Sequence, residues 1–140
     1  MPKKVVAIIQ ARMASTRLPG KILKEIGHMP ALEWMIKRAG RSKMIDQVVV
    51  ATTTDASDNL VAKFCEKKAY TYHRGSMKDV LDRVYRAAKE NQADVVVRLT
   101  GDCPFIDPEM LDSNLRAFLK AEPPLDFAAN RLPPPYTRAI

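Results

Sequence analysis

The sequence predicts an α/β domain on a mostly parallel sheet, and two observations carry that prediction. Val5 to Ile9 and Val95 to Leu99 are nearly continuous apolar runs, the pattern of parallel strands buried on both faces rather than of strands with one face in water. Between such runs lie segments whose apolar residues recur at helical spacing, the alternation that βα units produce. With 140 residues and 46% of them hydrophobic, the chain reads as one domain, residues 1–140, able to bury a sizeable core.

The first strand is expected from Lys4 to Gln10. Ala31 to Arg41 follows as a helix with Leu32, Met35, Ile36 and Ala39 on one face, and Pro30 suits its first helical position. Gln47 to Thr53 is the second strand, and Leu60, Val61 and Phe64 mark a second apolar helix face. A third strand is placed at Ala69 to His73. Ser76 with Asp79 resembles a capping box, and Val80, Leu81, Val84, Ala87 and Ala88 then repeat at helical spacing. Asp94 to Thr100 is the fourth strand. Asp107-Pro108 reads as a cap and first-turn proline, opening a helix to about Lys120 with Met110, Leu111, Leu115, Phe118 and Leu119 inward. Trp34 and the methionines are assigned to the core. Pro123-Pro124 breaks the last helix, Asp126 to Ala129 is expected to add a short strand, and Pro133 to Pro135 cannot sit inside a sheet.

The formal charge of +7 is concentrated. Met1 to Lys43 hold 10 Lys and Arg against 2 Glu, and the remainder is close to neutral. The densest part is the loop after the first strand, which carries Arg12, Ser15, Arg17, Pro19, Gly20 and Lys21. Three cations on one connector at the carboxyl end of a central strand call for an anion, since open α/β sheets bind ligands there. Pro19 and Gly20 shape a turn that could aim main-chain amides at the same ligand. The chemistry is that of a polyphosphate cradle. A Walker loop is excluded, because it needs Gly six residues before its Lys and Ser or Thr after it, where this chain has Ser15 and Ile22. Nucleic acid is excluded as a partner, since the basic third lacks interleaved aromatics and zinc-finger or RNP-like strings. No apolar stretch approaches a membrane span. Cys65 and Cys103, far apart and without metal spacing to His28 or His73, read as reduced thiols of a cytoplasmic protein.

A second constellation follows the fourth strand, in the string TGDCPFIDP. Gly101 allows close backbone approach, and Asp102 would face the phosphates of the first loop if the two strands are neighbours. Phosphates beside a carboxylate imply Mg²⁺, whereas Asp107 is explained as a helix cap. Ala51-Thr52-Thr53-Thr54-Asp55 supplies hydroxyls suited to a base or ribose. Arg74-Gly75-Ser76 precedes a helix amino terminus, which favours an anion or a ribose edge.

Together, the R-x-x-S-x-R-x-P-x-K loop beginning at Arg12, ATTTD from Ala51, RGS from Arg74 and RLTGDCPFIDP from Arg98 resemble the cytidylyltransferase-type sugar nucleotidyltransferases. Within them the chain looks most like the spore-coat polysaccharide group of the acylneuraminate cytidylyltransferase-like family. That resemblance implies the nucleotide-diphospho-sugar transferase (glycosyltransferase-A-like) fold, a three-layer α/β/α sandwich. It implies that Arg12 and Lys21 act on the phosphates of CTP, assisted by Ser15 and Arg17, with Ala11 and Thr100 in the nucleotide site. Thr52, Thr53 and Arg74 would lie near base and ribose, and Asp102 would hold Mg²⁺. The implied reaction joins a sugar or sugar-acid acceptor to CMP. Members of this family continue past the point where RLPPPYTRAI closes the chain, so residues 1–140 are expected to lack a carboxyl-terminal part and to self-associate as a homodimer. A glycosyltransferase on the same fold would need an Asp-x-Asp motif, which Asp102-Cys103-Pro104 does not supply; a nucleotide-binding module without catalysis is the other alternative.

Overall fold

In the computed structural model, which describes residues 2–129, the chain runs through β1 (Val5–Gln10), β2 (Glu25–Ile26), β3 (Met29–Pro30), α1 (Ala31–Ala39), β4 (Gln47–Thr53) and α2 (Asn59–Lys68). It continues through β5 (Tyr72–Gly75), α3 (Val80–Glu90), β6 (Val95–Thr100) and α4 (Pro108–Lys120). The four long strands form one sheet in the order β5-β4-β1-β6, every neighbouring pair parallel. β2 and β3 form a separate two-residue antiparallel ladder, which no apolar periodicity announces.

The strands alternate between two cores. Ala7, Ile9, Val50 and Leu99 pack against Leu32, Met35, Ile36 and Ala39 of α1, Val61 and Cys65 of α2 and Leu111 of α4. On the opposite face Val6, Ile8, Val49 and Ala51 meet Ala87 and Ala88 of α3. The result is the expected three-layer sandwich. Burial, and then the neighbouring Glu66, pushes the Cys65 thiol up to about 12, so it packs as an apolar group.

Several local expectations are corrected. β5 starts at Tyr72 rather than Ala69, because Ala69 ends α2 in the left-handed region, with φ 61° and its N–H bonded back to the Cys65 and Glu66 carbonyls. Pro30 ends β3 and caps α1 instead of occupying its first turn. Leu60, Leu81 and Leu119 point outward, at 55%, 81% and 38% exposure. In each case the buried face is rotated: α2 centres it on Val61 and Cys65, α3 on Arg83 and Ala87, and α4 on Leu111 and Leu115. Trp34 is only half-buried, its indole N–H donating to the Ile26 carbonyl at 2.8 Å. Asp126 to Ala129 form no strand; Pro124 cannot donate to a ladder. Pro133 to Pro135 lie outside the described residues.

One arrangement decides where chemistry can occur. From β1 the chain moves to β4 on one side of the sheet, and only later to β6 on the other. The carboxyl ends of β1 and β6 therefore flank the topological switch point, where parallel sheets open a crevice.

Candidate functional site at the ends of β1 and β6

The loop leaving β1 closes on itself. Gly20, at φ 71°, donates its N–H to the Met13 carbonyl at 2.8 Å, a turn that a side chain at Gly20 would strain. The Ser15 hydroxyl accepts from Leu18 N–H at 3.3 Å, so Ser15 steadies the loop. The Gly20 amide is thus spent within the turn. The main-chain N–H groups of Arg12 and of Ala14 to Arg17 donate to no acceptor among the described residues. Arg12 and Arg17 are exposed and form no ion pair among the described residues. Ala11 is buried, its N–H bonded to the Ala51 carbonyl at 3.1 Å. Among the described residues the loop carries a run of unbonded amides flanked by guanidinium groups outside any ion pair, a donor set suited to phosphate oxygens.

The β6 end meets this loop directly. Gly101 N–H donates to the Gln10 carbonyl at 2.8 Å, and a Cβ built on Gly101 would lie 2.7 Å from that oxygen. With the loops in contact, Lys21 Nζ and Asp102 Oδ2 stand 3.4 Å apart. Thr100, paired with Gln10, ends β6 half-buried beneath them. Burial opposes ionisation of Asp102, but the Thr100 hydroxyl and the Lys21 ammonium outweigh it and hold the carboxyl below its ordinary range. Lys21 and Asp102 keep 37% and 50% of their side-chain surface. A pair this exposed is worth only ~0.2–1 kcal/mol, so both charges can exchange each other for a ligand at little cost.

The two threonines and Arg74 are placed differently. Thr52 and Thr53 are fully buried. The Thr53 hydroxyl bonds the Asp58 carboxylate and accepts from Asp55 N–H, while Thr52 Oγ1 has no partner among the described residues. Both threonines lie at the carboxyl end of β4 with their side chains in the interior. Arg74 donates from Nε to the Thr53 carbonyl at 2.8 Å and from Nη2 to the Asp55 carbonyl at 2.9 Å. It staples the β4 exit. With His73, Ser76, Arg86 and Lys89 it lines a cleft of about 650 Å³ along β5, at the sheet edge opposite β6.

A cytidylyltransferase family model matches residues 6–133. The chain belongs to the cytidylyltransferase family. Among its relatives is the spore coat polysaccharide biosynthesis protein SpsF of Bacillus subtilis, 40% identical over 117 residues, which covers 81% of this chain and 49% of that protein. A cytidylyltransferase of Leptospira borgpetersenii superposes with a TM-score of 0.78 at 43% identity, over 84% of this chain and 50% of its own. A CMP:2-keto-3-deoxy-manno-octonic acid synthetase solved with CTP superposes with a TM-score of 0.71 at 27% identity, over 85% of this chain and 48% of the other. The chain spans about half the length of these relatives.

Two residues beside this candidate site carry no motif in the sequence and emerge only from packing. Asp58, fully buried at the start of α2, accepts Met13 N–H at 2.7 Å and the Thr53 hydroxyl. Arg83, 2% exposed on α3, donates from Nη1 to the Ser76 carbonyl at 3.1 Å and keeps a buried Nε without a partner among the described residues. Burial, and then the nearby Arg12 guanidinium, lowers the Arg83 pKa, against the attraction of Asp58. The sequence alone assigns no role to Asp58 or Arg83. The available signal was their position: each falls on the apolar face of its helix period.

For a divalent ion, Asp102 is the donor present. No group of three or more His, Cys, Asp or Glu residues able to hold a metal occurs among the described residues. One ionised, half-exposed carboxylate still fits Mg²⁺, which binds through one or two carboxylates together with substrate phosphates and waters.

Proposed function

We propose that the chain carries the nucleotide site of a Mg²⁺-dependent cytidylyltransferase, which transfers CMP from CTP to a sugar or sugar-acid hydroxyl and releases pyrophosphate. The observation that carries this reading is the approach of Lys21 to Asp102 across the switch point, at 3.4 Å, beside the free amides and guanidinium groups of the Arg12 loop. The membership in the cytidylyltransferase family and the likeness to a synthetase solved with CTP support the choice of nucleotide. The likeness to SpsF supports work in surface or spore coat polysaccharide synthesis, in the cytoplasm.

In this reaction the acceptor hydroxyl oxygen bonds to the α-phosphorus and gives up its proton to solvent, the bond to the oxygen bridging to the β-phosphate breaks, and pyrophosphate leaves with that electron pair. Arg12 and Lys21 hold the phosphates and oppose the charge that grows on their oxygens, while the loop amides fix the chain's orientation. Mg²⁺, held by Asp102 and the phosphates, would supply further neutralisation of that charge. Asp102→Asn keeps shape and removes charge, so Mg²⁺ is expected to strengthen CTP binding by the wild type and not by the variant. Thermal-shift titrations of each NTP, with and without Mg²⁺, read the base and metal choices, and pyrophosphate release with sugar acids reads turnover. Equal binding of all four nucleotides, or a metal effect retained in Asp102→Asn, would overturn the corresponding part.

A further inference from the structure

The functional reading leaves Asp58 unexplained. A fully buried carboxylate beneath a cation-rich loop is costly unless its oxygens are bonded, and here both are, to groups that matter. Oδ1 takes the Met13 N–H at 2.7 Å, and Oδ2 takes the hydroxyl of Thr53, which closes β4. Met13 sits between Arg12 and the run Ala14 to Arg17, whose amides are free among the described residues. Its carbonyl also receives the Gly20 N–H at 2.8 Å, at the far end of the loop. Met13 is therefore the loop's anchor to the scaffold, held at its amide by Asp58 and at its carbonyl by the turn that presents Lys21. Asp55, one turn earlier, caps the segment that delivers Asp58, accepting Ser57 N–H at 2.9 Å.

We infer that Asp58 is a positioning residue for the triphosphate: through the Met13 amide it fixes the loop so that Arg12 and the neighbouring amides converge on one polyanion. This rests on the phosphate reading of the loop. Preorganisation is what a flexible, multiply cationic connector lacks by itself; untethered, it would have to lose its conformational freedom at the moment of binding. A carboxylate serves better than a neutral acceptor because hydrogen bonds to charged acceptors are shorter and stronger.

Inorganic tripolyphosphate, CTP and CMP are the probes. In Asp58→Ala, tripolyphosphate and CTP affinities are expected to fall at least tenfold while CMP affinity changes less than twofold, a selectivity that general loosening of the fold would not produce. Asp58→Asn keeps an acceptor for Met13 and should restore most of the loss. In an Arg12→Ala background the Asp58→Ala substitution should cost less than threefold more, since the group it positions is gone. Where Asp58→Ala does not fold, Thr53→Val, which preserves shape and removes the hydroxyl from Oδ2, is expected to weaken tripolyphosphate binding at least threefold. Equal losses for CMP and CTP, additivity with Arg12→Ala, or unchanged tripolyphosphate binding in Thr53→Val would overturn the assignment. Wild-type protein that binds tripolyphosphate without preferring CTP to other triphosphates would sink the cytidylyl reading while leaving Asp58 in place. Wild-type protein that binds no polyphosphate would overturn both.

Discussion

Replacing Gly101 with alanine tests the junction on which the whole site depends. The new methyl would sit 2.7 Å from the Gln10 carbonyl oxygen, and 3.5 Å from both Ala11 Cα and Ile22 Cγ2. The first contact lies roughly 0.8 Å inside the ~3.5 Å optimum for non-bonded atoms, and the obstructing atom is backbone, so no rotamer change relieves it. The same carbonyl accepts Gly101 N–H at 2.8 Å, so pushing the strands apart also stretches a bond at the switch point. Overpacking of this kind costs about 1–3 kcal/mol, and loss of the hydrogen bond would add about 0.5–1.5 kcal/mol. Gly101→Ala is therefore expected to lose about 2–4 kcal/mol in urea unfolding and, in the fraction that remains folded, to bind CTP more weakly because Asp102 and Lys21 separate. Gly27→Ala is the control: its φ is +67° with nothing within 4 Å, so it pays only the cost of a left-handed alanine, ~1–2 kcal/mol, and should leave CTP affinity alone. Gly101→Ala with stability within 0.5 kcal/mol of wild type and undiminished affinity would refute the claim that this contact builds the site.

Arg12→Ala and Lys21→Ala should each weaken CTP binding by about 1.5–3 kcal/mol, the scale of hydrogen bonds to charged groups, and isothermal titration measures it directly. Asp112 predicts the acid limb of stability: burial opposes its ionisation, but the Ser42 hydroxyl and the Lys43 and Met44 amides hold its carboxyl below the ordinary range. Its contribution is complete above the unfolded value of ~3.9 and drains as pH falls through the lower folded value, so Asp112→Asn should flatten the wild-type loss of stability below about pH 4 in urea midpoints. Self-association is expected in light scattering, through β6. Among the described residues its outer edge ends the sheet, and it exposes Val96 at 41%, with Leu119 and Leu125 also exposed; an open strand edge recruits another chain, and a strictly monomeric species would count against it.

The residues that could be read in advance are those whose chemistry is local. Arg12, Lys21 and Asp102 stand out because charges that follow buried apolar strands have nothing near them in sequence to explain them. Asp107 was legible as a cap from its own neighbours, and its carboxylate accepts from Glu109 N–H; Asp79, expected as the partner of a Ser76 cap, is itself the N-cap of α3 and accepts from Asp82 N–H, with its own N–H bonded to the Ser76 hydroxyl. The burial of Thr52 and Thr53 was not legible, because a threonine run at a strand end carries the same letters whether its hydroxyls face outward or the core. Asp58 and Arg83 stayed hidden because they contact groups 45 and 7 residues away, at Met13 and Ser76, and nothing local distinguishes a buried helix charge from a solvated one.

By itself the sequence determined the four strands of the parallel sheet, the four helices and the cationic loop, because hydrophobic period, capping and turn chemistry act over a few residues. It determined neither the β2–β3 ladder nor the absence of a strand at Asp126 to Ala129. Only the tertiary structure decided that β1 and β6 are neighbours, which brings Lys21 and Asp102 within 3.4 Å across 81 residues of chain. Strand order depends on which buried faces match once the helices have packed, a property of distant pairs that no local window contains. The same holds for Asp58, whose meaning lies in a loop it meets only after the sheet has closed above α2.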